Sequence, residues 1–167
     1  LDKAIAAVWD GVPIQRCTVH KLWNLLGHAP KSLQGEVKSD YDAIIYADDI
    51  EKAKTAYAAF LRKWSRKAES VARSLEEAGM DLLTFMRFPQ AQWRSLKTTN
   101  IVERLNHEFR RRTKTQGVFP TQSSVLVLLF GLVASGMVRM RKIGGYETMD
   151  AGVPVVGSNL LEALAVA

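Results

Sequence analysis

The residues best suited to chemistry lie in one segment, Trp93 to Gln116, which reads WRSLKTTNIVERLNHEFRRRTKTQ. Its two acidic residues, Glu103 and Glu108, stand among seven basic ones. A carboxylate can hold a divalent metal ion while arginine and lysine hold phosphates, so the combination fits a site that acts on phosphodiesters. On this interpretation Glu103 would be a catalytic metal ligand. The predicted DNA-binding residues are Trp93, Arg94, Lys97, Arg104, Arg110, Arg111, Arg112 and Lys114.

Spacing alone favours a structural interpretation of Glu103. Asn100-x-x-Glu103 is the pattern of a capping box, in which two side chains satisfy the free amides at a helix start. A glutamate in the first turn is also stabilised by the helix dipole. On helical spacing we expect Arg104 and Arg111 near the face of Glu103, and Arg110 and Arg112 on other faces.

A second candidate is the Cys-x-x-His motif formed by Cys17 and His20. Two such residues could be half of a zinc site, but zinc usually takes four ligands and no second pair follows at a usual spacing. A nucleophilic Cys–His pair is disfavoured if both lie in a strand, because their side chains would then project from opposite faces. The remaining interpretation is a small buried cysteine at the end of a strand.

The tryptophans are expected mainly in the core, because their neighbours follow amphipathic spacing. Trp93 has an alternative role, since it stands beside Arg94 and just before the basic helix, where it could stack on a base. The four residues concerned are Trp9, Trp23, Trp64 and Trp93.

The surrounding sequence predicts mostly helices. Val12 to Val19 is rich in β-formers and predicts one short strand. An apolar stretch from Val125 to Val138 predicts a buried helix, since it falls short of the roughly 20 residues that span a bilayer. The predicted helices are 1–9, 20–27, 32–47, 50–64, 65–78, 81–88, 100–114 and 121–140, with Gly79 as a C-terminal cap.

Composition narrows the class of protein. The chain has 167 residues and a formal net charge of +6, which suits one globular domain with a polyanionic partner. A single cysteine allows no internal disulfide, and no signal peptide is visible, so we expect a cytoplasmic protein without a membrane segment. Because the chain opens at Leu1 within a helix-like pattern, we also expect a fragment of a longer protein.

Two motifs together resemble the Mutator-type DDE transposases, in their bacterial insertion-sequence branch. They are IQRCTVHKLWNLL (residues 14–26) and FPQAQWRSLKTTNIVERLNHEFRRRTKTQG (residues 88–117), and the resemblance covers about residues 1–148. It implies a mostly α chain that is the C-terminal part of a ribonuclease-H-like catalytic domain with an all-helical insertion. The implied parts are a partial core (1–31), the insertion (32–92), the catalytic-glutamate and C-terminal helices (93–148) and a tail (149–167).

The resemblance also implies a chemistry. Two aspartates and one glutamate would hold two Mg²⁺ ions that cut transposon ends and join them to target DNA, with Glu103 as the glutamate. Cys17, His20 and Asn100 would lie near that site, and the intact enzyme would be a homo-oligomer. Both aspartates would precede Leu1, since Asp2 and Asp10 stand too close to Cys17. One carboxylate cannot hold two ions, so we expect this chain alone to be inactive.

Two other functions stay open on the residues. A non-catalytic, basic helical module could bind nucleic acid without metal. An interaction module could instead associate through the apolar helix Val125 to Val138.

Overall fold

A computed structural model describes residues 12–139 and 142–149. The described residues form two units: the larger comprises 12–98 and 144–149, and the smaller comprises 99–139 with 142–143. The predicted helix at 1–9, Trp9, and all of the predicted tail except Met149 lie outside the described residues.

The larger unit contains five α-helices joined by short connections. Four of them pack in a closed sequence, with α1 against α2, α2 against α3, α3 against α4, and α4 back against α1. Three 3-10 turns occur at Lys31–Leu33, Gly79–Leu82 and Thr84–Arg87, and a fourth at Tyr146–Thr148. The helices are α1 (Thr18–His28), α2 (Gln34–Ile45), α3 (Ile50–Lys67), α4 (Glu69–Ala78) and α5 (Gln90–Leu96).

The core of this unit forms because the apolar residues of α2, α3 and α4 recur at helical spacing. Trp64 is fully buried, and its indole Nε1 donates to Asp40 Oδ2 at 2.9 Å. Tyr41 is also buried, and its hydroxyl donates to the carbonyl of Thr18 at 2.9 Å. Burial raises the pKa of that tyrosine well above its usual value. The other fully buried large side chains are Leu25, Val37, Ile44, Phe60, Val71, Leu75, Leu82, Leu83 and Phe85.

The predicted strand from Val12 to Val19 is wrong. Residues 12–17 have no regular secondary structure, and α1 already begins at Thr18. Their polar groups bond to 3-10 turns instead of a sheet: Gln15 Nε2 donates to Leu82 O at 3.0 Å, and Gln15 Oε1 accepts from Phe85 N at 2.7 Å. Because these partners belong to turns, no ladder can propagate along the segment.

Several predicted helix bounds also change. The helix expected at 65–78 begins at Glu69, because Ala68 leaves the helical conformation between α3 and α4. The helix expected at 81–88 is two 3-10 turns. Gly79 ends α4 with φ of 57°, a conformation that favours glycine, which confirms the predicted cap.

The smaller unit contains two helices, α6 (Asn100–Thr113) and α7 (Gln122–Ala134). The apolar stretch forms a helix, as predicted, but the prediction that this helix is buried and continues to residue 138 is wrong. The helix ends at Ala134, where Gly136 turns the chain with φ of 72°. Phe130 is 74% exposed, whereas Leu132 is buried. The helix is apolar on all sides, and most of that apolar surface is exposed or half-buried.

Helices therefore dominate the described residues, as predicted, and these residues contain no strand. The ribonuclease-H-like fold and the proposed domain ranges stay predictions. Within the ranges 12–139 and 142–149, no helix combines the length and apolar character that crossing a bilayer requires.

Burial predicts a contrast between two apolar truncations. Leu75→Ala removes a fully buried side chain and should lower the free energy of unfolding by about 2–5 kcal/mol. Phe130→Ala removes a mostly exposed side chain and should change it by less than about 0.5 kcal/mol. Urea denaturation followed by circular dichroism measures both. Equal losses would show that the exposed face of α7 is buried in solution.

Candidate metal ligand and nucleic-acid interface

Glu103 lies in the first turn of α6, at the positive end of the helix dipole. Its side chain is exposed, and its carboxylate accepts a hydrogen bond of 2.5 Å from the hydroxyl of Thr99. Thr99 is the N-cap residue, and α6 begins with Asn100 itself, without a side-chain cap hydrogen bond. Asn100 is therefore not the N-cap residue, and the capping box predicted for Asn100 and Glu103 is not formed.

Glu108 organises the arginine-rich end of the same helix. Its Oε2 accepts from Arg111 Nη2 at 3.1 Å and from Arg112 Nη1. The hydrogen bonds from Arg112 and then Arg111 lower the pKa of Glu108 from 4.5 to about 2. Arg112 Nη2 also donates to the carbonyl of Met137 at 2.6 Å, beyond the end of α7. Arg112, predicted as a DNA contact, is thus engaged in joining α6 to the residues that follow α7.

The remaining cations of α6 face solvent. Arg104, Arg110 and Lys114 are exposed, and none of them forms an ion pair with another residue in the described ranges. Arg110 and Lys114 line a shallow groove of about 510 Å³ with three neighbours. All five lining residues are His107, Arg110, Arg111, Thr113 and Lys114.

The regular helix corrects the expected faces. Each residue turns the helix by about 100°, so Arg110, seven residues after Glu103, lies within about 20° of its direction. Arg104 and Arg111 lie about 80–100° away by the same geometry. The expectation that these two arginines share the face of Glu103 is wrong, and His107, which sequence reasoning missed, lies nearer to it. Counting helical turns along the segment would have identified it.

The predicted contacts before α6 belong to the larger unit. Trp93 is half-buried, donates from Nε1 to Phe88 O at 2.8 Å, and packs edge-on against Phe85. Lys97 Nζ lies 4.1 Å from the centre of the Tyr46 ring, and burial lowers its pKa. Arg94 is exposed. Trp93 therefore packs partly in the core, and Trp64 is fully buried there, as predicted for both. Trp23 is 60% exposed, contrary to prediction.

Cys17 and His20 stand at the start of α1. Cys17 is the half-buried N-cap residue of α1, and His20 is exposed with its ring edge-on to Trp23 at 5.2 Å. The premise that their side chains leave opposite faces of a strand is wrong, because residues three apart at a helix start lie on one side. Among residues 12–139 and 142–149, no group of three or more His, Cys, Asp or Glu could hold a metal.

The residues that follow Cys17 at the start of α1 are held by hydrogen bonds to distant parts of the chain. Thr18 donates from both its amide and its hydroxyl to the carbonyl of Lys97, at 3.0 and 2.9 Å. Lys21 is 4% exposed, and its Nζ donates to Ser74 O at 2.7 Å and to Glu77 Oε2 at 3.1 Å. A buried lysine is costly unless paired, so these bonds fix α1 against α4. No sequence signal distinguished Lys21 from a surface lysine.

Comparisons with known proteins agree on one family. A family model described as "Transposase, Mutator family" matches residues 1–138. The chain is 34% identical over 149 residues to the transposase for insertion sequence element ISRM5 of Rhizobium meliloti, covering 87% of this chain and 37% of that protein. It is 35% identical over 134 residues to the IS1081 transposase of Mycobacterium tuberculosis, covering 80% and 32%.

A third similar protein is the transposase for insertion sequence element IS905 of Lactococcus lactis. It is 32% identical over 133 residues, which cover 78% of this chain and 34% of that protein. The chain thus spans about a third of the length of these curated relatives.

The bonds to Glu108 predict an acid-sensitive ion-pair cluster in α6. Its pKa is lowered on folding, so its contribution to stability is present above about pH 4.5 and is lost as the pH falls towards 2. An NMR titration should show Glu108 protonating near pH 2, and Glu108→Gln should remove that step. Protonation near 4.5 would show that the bonds to Arg111 and Arg112 do not persist in solution.

Proposed function

The chain belongs to the Mutator family of transposases, and on that premise we propose that it contributes one metal-binding carboxylate to DNA transposition. In the intact enzyme, transposon ends are cut and joined to target DNA. The family match covers residues 1–138 and includes both the Cys-x-x-His motif and α6. The finer assignments below rest on the placement of individual residues within that range.

Glu103 carries the proposal. It is an exposed carboxylate in the first turn of α6, and it accepts a hydrogen bond from the Thr99 hydroxyl. Glu108 is half-buried and forms ion pairs with Arg111 and Arg112. An accessible carboxylate can ligate a divalent ion, and the cations further along the helix can neutralise nearby phosphates. The exposed position of Glu103 suits it to bind a metal ion for catalysis. The ion pairs of Glu108 suit it to stabilise the helix.

Magnesium is the ion we propose for Glu103. Mg²⁺ takes octahedral oxygen ligands and is commonly bound by one or two carboxylates together with substrate phosphates. The described residues include no cluster of three potential ligands, so by themselves they do not fit a two-ion site. We assign Glu103 a single ligand position. Two aspartates elsewhere in the polypeptide and DNA phosphates would supply the others.

The remaining assignments follow from the same proposal. A ribonuclease-H-like core would hold the aspartates, with Cys17, His20 and Asn100 near the site. The partners would be transposon ends and target DNA, and two ends cut together would suit a homo-oligomer. The protein would act in the cytoplasm, where bacterial DNA lies.

The ligand role of Glu103 is tested with Mn²⁺, a paramagnetic substitute for Mg²⁺, added to the full chain bound to duplex DNA. Broadening of amide signals around residue 103 should occur in the unmodified chain and disappear in Glu103→Gln. The variant should unfold within about 0.5 kcal/mol of the unmodified chain, because the side chain is exposed.

Glu51 provides a matched control. It also lies in the first turn of a helix, α3, and its side chain is 76% exposed. Glu51→Gln should leave the Mn²⁺ broadening around residue 103 unchanged. Broadening that survives Glu103→Gln would contradict the ligand role. A marked loss of stability in that variant would support a purely structural role.

The isolated chain should show no Mg²⁺-dependent activity. One carboxylate cannot position two ions for attack on a phosphodiester, so neither cleavage nor strand transfer is expected. The measurement is a strand-transfer assay with labelled DNA ends, with one of the full-length relatives and its own ends as the positive control. Turnover by the isolated chain would overturn this part of the proposal.

A further inference from the structure

The cations at the arginine-rich end of α6 are of two kinds. Some bond to other residues of the chain and are called committed, whereas others form no ion pair with the described residues and are called uncommitted. Arg112 is committed, because it bonds to Glu108 and to the carbonyl of Met137. Arg111 shares the same carboxylate at 3.1 Å. Arg110 and Lys114 are exposed and form no ion pair with any residue in the described part of the chain. Glu108 thus neutralises one side of the helix and leaves the other positive.

The face of α6 that carries the uncommitted cations is about as long as a few consecutive phosphates of one DNA strand. His107, Arg110 and Lys114 follow at intervals of three and four residues, which place them along one face. The face spans seven residues, about 10 Å at 1.5 Å per residue. One DNA strand carries a phosphate about every 3.4 Å along the helix axis. The groove of about 510 Å³ can therefore follow about three consecutive phosphates.

The state of these side chains favours phosphates over base edges. Base readout requires a donor held in a fixed orientation by supporting bonds. Arg110 and Lys114 have no such support from the described residues, and the arginine that is supported, Arg112, points its donors at Glu108 and Met137. Long, mobile cations neutralise phosphates without reading sequence.

We propose that the groove lined by His107, Arg110, Arg111, Thr113 and Lys114 binds the phosphate backbone of duplex DNA, without base specificity and without metal. The inference rests on the proposed function, in which DNA is the substrate. It adds His107 to the interface and removes Arg112 from it.

Salt dependence tests the groove directly. Binding of the full chain to a labelled duplex is measured by fluorescence anisotropy between about 0.05 and about 0.2 M salt, with EDTA present. Over this range the Debye length falls from about 14 Å to about 7 Å. Each phosphate contact contributes about 0.9 to the slope of log affinity against log salt. The double variant Arg110→Gln/Lys114→Gln should lower that slope by about 1.8. Its affinity at about 0.1 M salt should fall by up to roughly 60-fold.

A second double variant controls for overall charge. Arg62 and Arg66 are also exposed arginines without ion pairs among the described residues, and they line a groove of similar volume on α3. Arg62→Gln/Arg66→Gln removes the same charge and should leave the slope within about 0.3 of the unmodified value, well under one contact. Circular dichroism and thermal unfolding confirm that both variants stay folded.

Each outcome decides the inference. A loss confined to the Arg110/Lys114 variant, equal on two duplexes of unrelated sequence, supports it. Equal losses in both double variants, a loss on only one duplex, or no binding by the unmodified chain overturns it. Because EDTA removes divalent ions, these results are independent of the Mn²⁺ test of Glu103. The proposal for the groove can therefore be overturned while the ligand role of Glu103 is supported, and the ligand role can be overturned while the groove proposal is supported.

Discussion

The pairing of Glu108 with Arg111 and Arg112 determines how the basic helix can be used. Three consecutive arginines look equivalent in the sequence, but a carboxylate four residues before Arg112 and three before Arg111 selects those two. The selection follows from helix geometry, because residues three and four apart share a face. Arg110, which lies outside that reach, keeps its charge for an external partner. A single glutamate thus separates the structural cations from those that remain available.

A comparable division holds in the larger unit. Lys21, buried against Ser74 and Glu77, and Thr18, bonded twice to Lys97, attach the start of α1 to distant parts of the chain. These bonds hold the residues that flank Cys17 and His20. The motif is therefore presented by a firmly packed helix start, the kind of support that a functional site requires. Within the described residues, these bonds and not a sheet fix its position.

The sequence predicted those features that local spacing controls. Helical periodicity located α2 and α3, and Gly79 marked a helix end, because these depend on neighbours three or four residues away. The short strand failed, since β-formers pair only where a partner strand exists, and Gln15 instead bonds to turns about 70 residues later. The burial of Lys21 and the exposure of Phe130 also depended on distant packing, which spacing does not encode.

Helix geometry links the two proposed roles of α6. Glu103 and Arg110 lie within about 20° of the same direction and about 10 Å apart along the axis. One DNA strand running along this face would place one phosphate near the carboxylate and others near the cations of the groove. The carboxylate would repel that phosphate unless a divalent ion lay between them, whereas Arg110 and Lys114 attract their phosphates directly. Metal dependence is therefore expected at the start of the helix and salt dependence at its end.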